Sequence, residues 1–191
     1  MEEKVEKVKK VKKAERGRET LFRVSHNHQS KLVQIADYKA NMIISVSTMV
    51  ISAIVAIISY GTIADKISDI GVLFMAPVVI IILSSLISLV FAIQAARPKL
   101  IKNKRPAVTG NKTSLLFFGA MSSYSQAEFI EEMHELLNKG DELYDHLTID
   151  IYNQGLILKR KFNLLVYAYL ILMIGFVVSV LLFLTLFIFE I

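Results

Sequence analysis

The chain of 191 residues contains no cysteine and no tryptophan. The first absence excludes disulfides, thiolate nucleophiles and cysteine-based metal sites. The second leaves any aromatic belt at a membrane boundary to tyrosine and phenylalanine; Tyr60, Tyr167 and Tyr169 stand near the ends of apolar runs, where such a belt lies. Charge is also missing over long distances. No Asp, Glu, Lys or Arg occurs in Ala40–Ala64, Ile70–Ala96 or Phe162–Phe189. Each run exceeds the ~20 apolar residues that cross a hydrocarbon core of ~30 Å. Pumps and transporters use ionisable groups inside their spans, so this pattern argues against both. The few serines in such apolar segments predict no water-filled pore at rest. No cleavable signal peptide is visible, because the first apolar run starts too deep in the chain and is too long, so the first span is expected to direct its own insertion.

With 54% hydrophobic residues, the composition points to membrane insertion. The reading is an all-α integral membrane protein of three transmembrane helices, with helical cytosolic extensions and a cytosolic helical hairpin. Basic residues set its orientation. Eleven Lys or Arg lie in residues 1–41 and ten in residues 97–163, against Lys66 alone in the loop after the first span. Lys and Arg stay on the cytoplasmic side, which predicts a cytoplasmic N-terminus, an external C-terminus and no sizeable external domain. The expected segments are a basic cytosolic arm (1–20), a cytosolic helix (21–41), spans at 42–64, 72–96 and 162–189, an external loop (65–71) and a cytosolic helical region (97–161).

The arm is a Lys/Glu tract, read either as a solvated helix or as disorder, with adhesion to anionic lipid as its functional version. No aromatic platform or nucleic-acid-binding fold accompanies it, so no nucleic-acid polymer is expected as a partner. Ser25 or Asn27 is expected to cap the helix that feeds the first span. Arg97-Pro98 should end the second span. Ser125-Gln126-Ala127-Glu128 has capping-box form. Phe129, Met133, Leu136, Gly140, Leu143 and Leu147 then follow at spacings of four and three, with a break expected around Asn138-Lys139-Gly140. Small residues mark helix contacts in lipid: Ser84, Ser88, Ala92 and Ala96 on the second span, Ser45, Ser52 and Ser59 with Ala56 on the first, and Gly175 and Ser179 on the third. They serve either packing within the chain or a homo-oligomeric face.

No enzyme signature survives inspection. Thr109-Gly110-Asn111-Lys112-Thr113 has too few glycines for a phosphate loop. His26-Asn27-His28 lacks metal-ligand spacing and a third ligand, so neither metal nor cofactor is expected. Glu131, Glu132 and Glu135 read as a solvated face. The phrase Ile35-Ala36-Asp37-Tyr38-Lys39-Ala40-Asn41, on the threshold of the first span, is harder to dismiss. Asp37 and Asn41 share a helix face and need partners, since unpaired polar groups there are costly. The candidates are Asn153, Gln154, Lys159, Arg160, Lys161 and Asn163, before the third span. Lys39 reads as a snorkelling residue.

The phrases KLVQIADYKANMIISVSTMVIS, LLFFGAMSSYSQAEFIEEM and DIYNQGLILKRKFNLLVYAY, in that order relative to the spans, resemble the transmembrane effector family of Pycsar anti-phage systems. The resemblance implies a bacterial inner-membrane effector. It would respond to a cyclic pyrimidine mononucleotide, cyclic CMP or cyclic UMP, made by a cognate cyclase, and impair the membrane so that infection aborts. Asp37, Lys39, Asn41, Phe117, Phe118, Gly119, Asp150, Tyr152 and Gly155 match the family phrases and are the candidate ligand-responsive or relay residues. Arg97, Lys159, Arg160 and Lys161 are the candidates that attract phosphate. The alternative is a non-enzymatic anchor or scaffold, with the Phe129, Met133 and Leu136 stripe as its docking surface.

Overall fold

The computed structural model describes residues 2–63, 75–98, 114–116 and 124–189. The expected external loop and Phe117, Phe118 and Gly119 lie outside them. Four helices make up the described fold, with no strand among the described residues: α1 (Glu2–Ile63), α2 (Met75–Ala96), α3 (Gln126–Asn138) and α4 (Gly140–Phe189). Helices α1, α2 and α4 are long and apolar enough to cross a membrane.

Each boundary has a local cause. Helix α1 begins at Glu2, not at Ser25 or Asn27, and runs through both without a cap. The preceding tract is mostly Lys, Glu, Arg and Ala with no proline, and Gly17 alone does not outweigh them, so the helix propagates upstream. Helix α2 ends where Arg97 N–H donates to the Ile93 carbonyl at 2.9 Å and Pro98 blocks the next turn. Helix α3 opens on the capping box: Glu128 N–H donates to Ser125 Oγ at 3.3 Å, and Ser125 N–H to Glu128 Oε2 at 2.9 Å. It closes at Asn138, Lys139 stands outside helical geometry, and α4 starts at Gly140, so the break falls where the sequence places it.

The chain divides into two units: Met1–Val33 with Pro98–Leu158, and Gln34–Arg97 with Lys159–Ile191. In the first, the stripe of α3 is turned inward, with Leu136 buried and Phe129 and Met133 half-buried. Leu115, also buried, donates its N–H to His146 Nδ1 on α4 at 3.1 Å. An amphipathic helix turns its apolar stripe inward this way, which leaves only part of the stripe open for docking, while Ile130 and Leu137 stay exposed.

In the second unit the helices touch through small residues, because close backbone approach replaces the missing hydrophobic drive in lipid. Ser88 donates to the Ala168 carbonyl at 2.7 Å, and Ser179 to the Pro77 carbonyl at 2.8 Å. Gly175 lies so close to Ser84 that an added Cβ would stand 2.1 Å from that side chain. The α2 and α4 stripes therefore serve packing within the chain. The α1 stripe does not. Its buried face is Ala36, Ala40, Ile43 and Ser47, while Ser45, Ser52, Ala56 and Ser59 are exposed.

Candidate functional site: a cleft and a clasp

In the first unit, about two turns of α1 face about two turns of α4 across a cleft of about 350 Å³. Glu19, Phe22, Arg23, His26 and Asn27 line it from α1, at spacings that keep them on one helix face. Tyr144, Leu147 and Asp150 line it from α4 on the same principle. The Phe22 and Tyr144 rings meet with centroids 5.4 Å apart, and the Arg18 guanidinium sits 5.5 Å from the Tyr144 ring centre. Nearby, Gln29 Nε2 donates to the Ile151 carbonyl at 2.9 Å and lies 3.9 Å from the Cβ position of Gly155.

Asp150 is the chemical oddity of this cleft. Its side chain is buried and accepts a hydrogen bond from Gln154 at 2.7 Å. Burial raises its pKa above the ordinary carboxylate range, against the lowering effects of the Gln154 hydrogen bond and of His26. A folded-state pKa above the unfolded one means that the folded form binds the proton more tightly. The associated stability is present in acid and is lost as pH rises through the folded value, so Asp150 is a liability at neutral pH. Asp150→Asn is therefore expected to raise the thermal midpoint at pH 7.5 and to flatten the fall of that midpoint as pH rises above ~4. Thermal unfolding in detergent as a function of pH checks this; an unchanged or lower midpoint at neutral pH contradicts it. Buried carboxylates that cost stability concentrate in functional sites.

The second feature lies in the second unit. Lys161 on α4 donates to Asp37 Oδ1 on α1 and forms an ion pair with it. The Lys161 side chain is largely buried, with 13% exposure, whereas Asp37 retains 42%. Asp37 thus finds one of its expected partners. Asn41 does not share it and is exposed, as is Lys39. The buried face of α1 runs through Ala36 and Ala40, and Asp37 sits at its edge while Asn41 has rotated past it. Arg97, Lys159 and Arg160 are exposed, and Tyr152 is exposed on α4.

Of the residues singled out in sequence, the structure places Asp150 in the cleft, Gly155 beside Gln29 and Lys161 on Asp37. Phe22, Arg23, His26, Asn27 and Tyr144 were not singled out for the cleft. The α1 residues do carry a helical i, i+4 signature, Glu19 with Arg23 and Asn27 and Phe22 with His26, but a stripe does not disclose which helix it faces. Among the described residues no cluster of three or more His, Asp or Glu is placed to hold a metal ion.

Three apolar helices of spanning length, two of which also wall a cleft of small-molecule size, define a multi-pass membrane protein with a ligand-sized site in its polar part. A family model for the Pycsar effector protein domain, PycTM, matches residues 20–188, and the chain belongs to that family. It is accordingly a membrane effector of cyclic-nucleotide anti-phage defence. No curated protein and no solved structure matches the chain.

Proposed function

We propose that the protein is a non-enzymatic effector of the inner membrane that cyclic CMP or cyclic UMP from a cognate cyclase activates by binding the α1–α4 cleft. The observation that carries this reading is the cleft itself. Its volume of about 350 Å³ falls in the ~300–1,000 Å³ range of small-molecule pockets. Phe22 and Tyr144 offer an aromatic wall for a pyrimidine base. Arg23 and His26 supply donors for a phosphodiester, and Asn27 and Asp150 supply hydrogen-bonding groups for base or ribose. The N-terminus is cytoplasmic and the C-terminus external, which puts the cleft on the side where the nucleotide is made.

The same two helices that wall the cleft continue as two of the three spans. A ligand that favours one arrangement of α1 against α4 therefore biases the spans as well. In this reading the Asp37–Lys161 clasp is the relay, homo-oligomers rearrange, membrane integrity fails and infection aborts. Arg97, Lys159 and Arg160 add positive potential that attracts the phosphate. The partial burial of the α3 stripe, complete only at Leu136, favours this reading over the anchor or scaffold alternative.

Titration calorimetry of the full-length protein in nanodiscs with cyclic CMP and cyclic UMP tests the site. Arg23→Ala and Tyr144→Ala are each expected to weaken binding about tenfold or more, since a stacked base or a charge-assisted hydrogen bond contributes ~1–3 kcal/mol. Wild-type affinity in both variants moves the nucleotide out of the cleft. Dye entry into cells co-expressing a pyrimidine cyclase tests the outcome: permeabilisation is expected with the cyclase active and absent with it inactivated.

A further inference from the structure

Helix α1 has a packed face and a second line of residues that are apolar or small apart from His28 and Lys31. One packs within the chain through Phe22, Gln29, Ala36, Ala40, Ile43 and Ser47, which are buried or half-buried. The other lies nearly opposite, at spacings of three and four: Leu21, Val24, His28, Lys31, Ile35, Tyr38, Met42, Ser45, Met49, Ser52, Ala56 and Ser59. Every one of these twelve is exposed. A helix with one packed face normally turns a polar face to solvent. Here Leu21 is 63% exposed and Val24 58%, and both precede the uncharged run that starts at Ala40 by roughly 24–29 Å of helix at ~1.5 Å per residue. Acyl chains do not cover residues that far outside a span and so close to Arg18 and Arg23.

We infer that this face is a seam on which α1 of a second copy of the chain seats, forming a parallel helix pair from Leu21 to Ser59. A second copy is the occupant whose chemistry changes with the seam. The partner must be apolar in water next to Leu21 and Val24, then small and lipid-compatible next to Ser45, Ser52, Ala56 and Ser59. The same α1 meets both demands in register. All copies insert with one topology, so pairing through a spanning helix is parallel and brings like layers together. The 3.5-residue period is that of a left-handed supercoil. The small residues of the span allow close backbone approach. His28 and Lys31 make two successive polar layers, which constrain register at a cost in stability that the apolar layers on either side offset. The length of ~57 Å suffices for an interface of the standard ~800 Å² per partner. The seam rests on the multi-pass reading and not on the nucleotide.

The cysteine-free chain makes the test direct. Full-length Val24→Cys and Ser52→Cys, on the seam, are compared with Ser30→Cys and Ile57→Cys, which are exposed but off it. Each is oxidised in membranes of expressing cells. The seam variants are expected to give disulfide-linked dimers at about tenfold the yield of the controls, because bridging needs Cα atoms within ~7 Å. Equal yields at all four positions, or no dimer from either seam variant, overturn the pairing. A crosslinked product of any other mass overturns the second copy as the occupant. Either failure, with nucleotide binding to the cleft intact, leaves the proposed function standing.

Discussion

Gly175→Val is expected to destabilise the membrane-embedded unit by about 3 kcal/mol, the upper end of what overpacking a tight contact costs. The Cβ would stand 2.1 Å from both Cβ and Oγ of Ser84, with the Ser84 Cα at 3.6 Å. Carbon atoms attract at ~3.5–4.0 Å, so α2 and α4 must separate by roughly 1.5 Å. No rotamer change relieves this, because the offending atom of the glycine replacement is fixed to the backbone. Separation also stretches the bonds from Ser88 to Ala168 and from Ser179 to Pro77, on the same pair of helices. Hydrogen bonds between spans contribute ~0.6 kcal/mol each on average, so the loss is felt mainly as packing. Denaturation in mixed micelles measures the effect. Combination with Ser84→Gly empties the space that the valine needs and should recover much of the loss. A Gly175→Val protein as stable as wild type would mean that α2 and α4 do not approach as described.

Asp37→Ala is expected to act on stability and on signalling together. It strands the Lys161 ammonium, which is 13% exposed, without its carboxylate. Removing one partner of a fully buried pair costs ~3–5 kcal/mol; Asp37 is 42% exposed, so roughly 2 kcal/mol is the appropriate scale here. Pairing Asp37→Ala with Lys161→Met separates the two roles. An apolar replacement of both partners usually recovers stability, since no charge remains to be desolvated. If the clasp is the relay, the double variant is stable, inserted and able to bind nucleotide, yet gives no dye entry when the cyclase is active. Permeabilisation equal to wild type in the double variant reduces the clasp to an interfacial collar.

The architecture was legible because it follows from quantities that a linear sequence states outright. A predominantly apolar, uncharged run of 25 or more residues crosses lipid as a helix, which satisfies each backbone polar group within its own segment. Proline at 98, the Ser125–Glu128 capping box and the Asn138–Gly140 break act within a turn or two of themselves, and the helices end there. The start of α1 was misplaced for a related reason. Ser25 and Asn27 are good caps only where a helix has cause to begin, and a Lys/Glu tract upstream gives it none.

Part of the site was legible too. Asp37 needed a partner, and Lys161 stood among the six residues that its position before the third span made available. Choosing among them required the rotation of α4 about its axis, which ~100° per residue leaves open until the packed face is known. The same limit hid the cleft. Phe22, Arg23, His26 and Asn27 form a stripe in the sequence, and Tyr144, Leu147 and Asp150 form another, but nothing local says that these stripes face each other.

By itself, then, the sequence determined the three spans, the helix breaks, the membrane setting and, through the order of its phrases, the resemblance to an effector family. Only the tertiary structure decided which faces are consumed by the chain and which are left over. It turned the α3 stripe and the α2 and α4 small residues inward, closed Lys161 onto Asp37, gathered the cleft around Asp150, and left the Leu21–Ser59 face of α1 uncovered. The physical reason is that periodicity fixes which residues share a face, whereas burial depends on contacts between segments more than a hundred residues apart, such as Asp37 with Lys161.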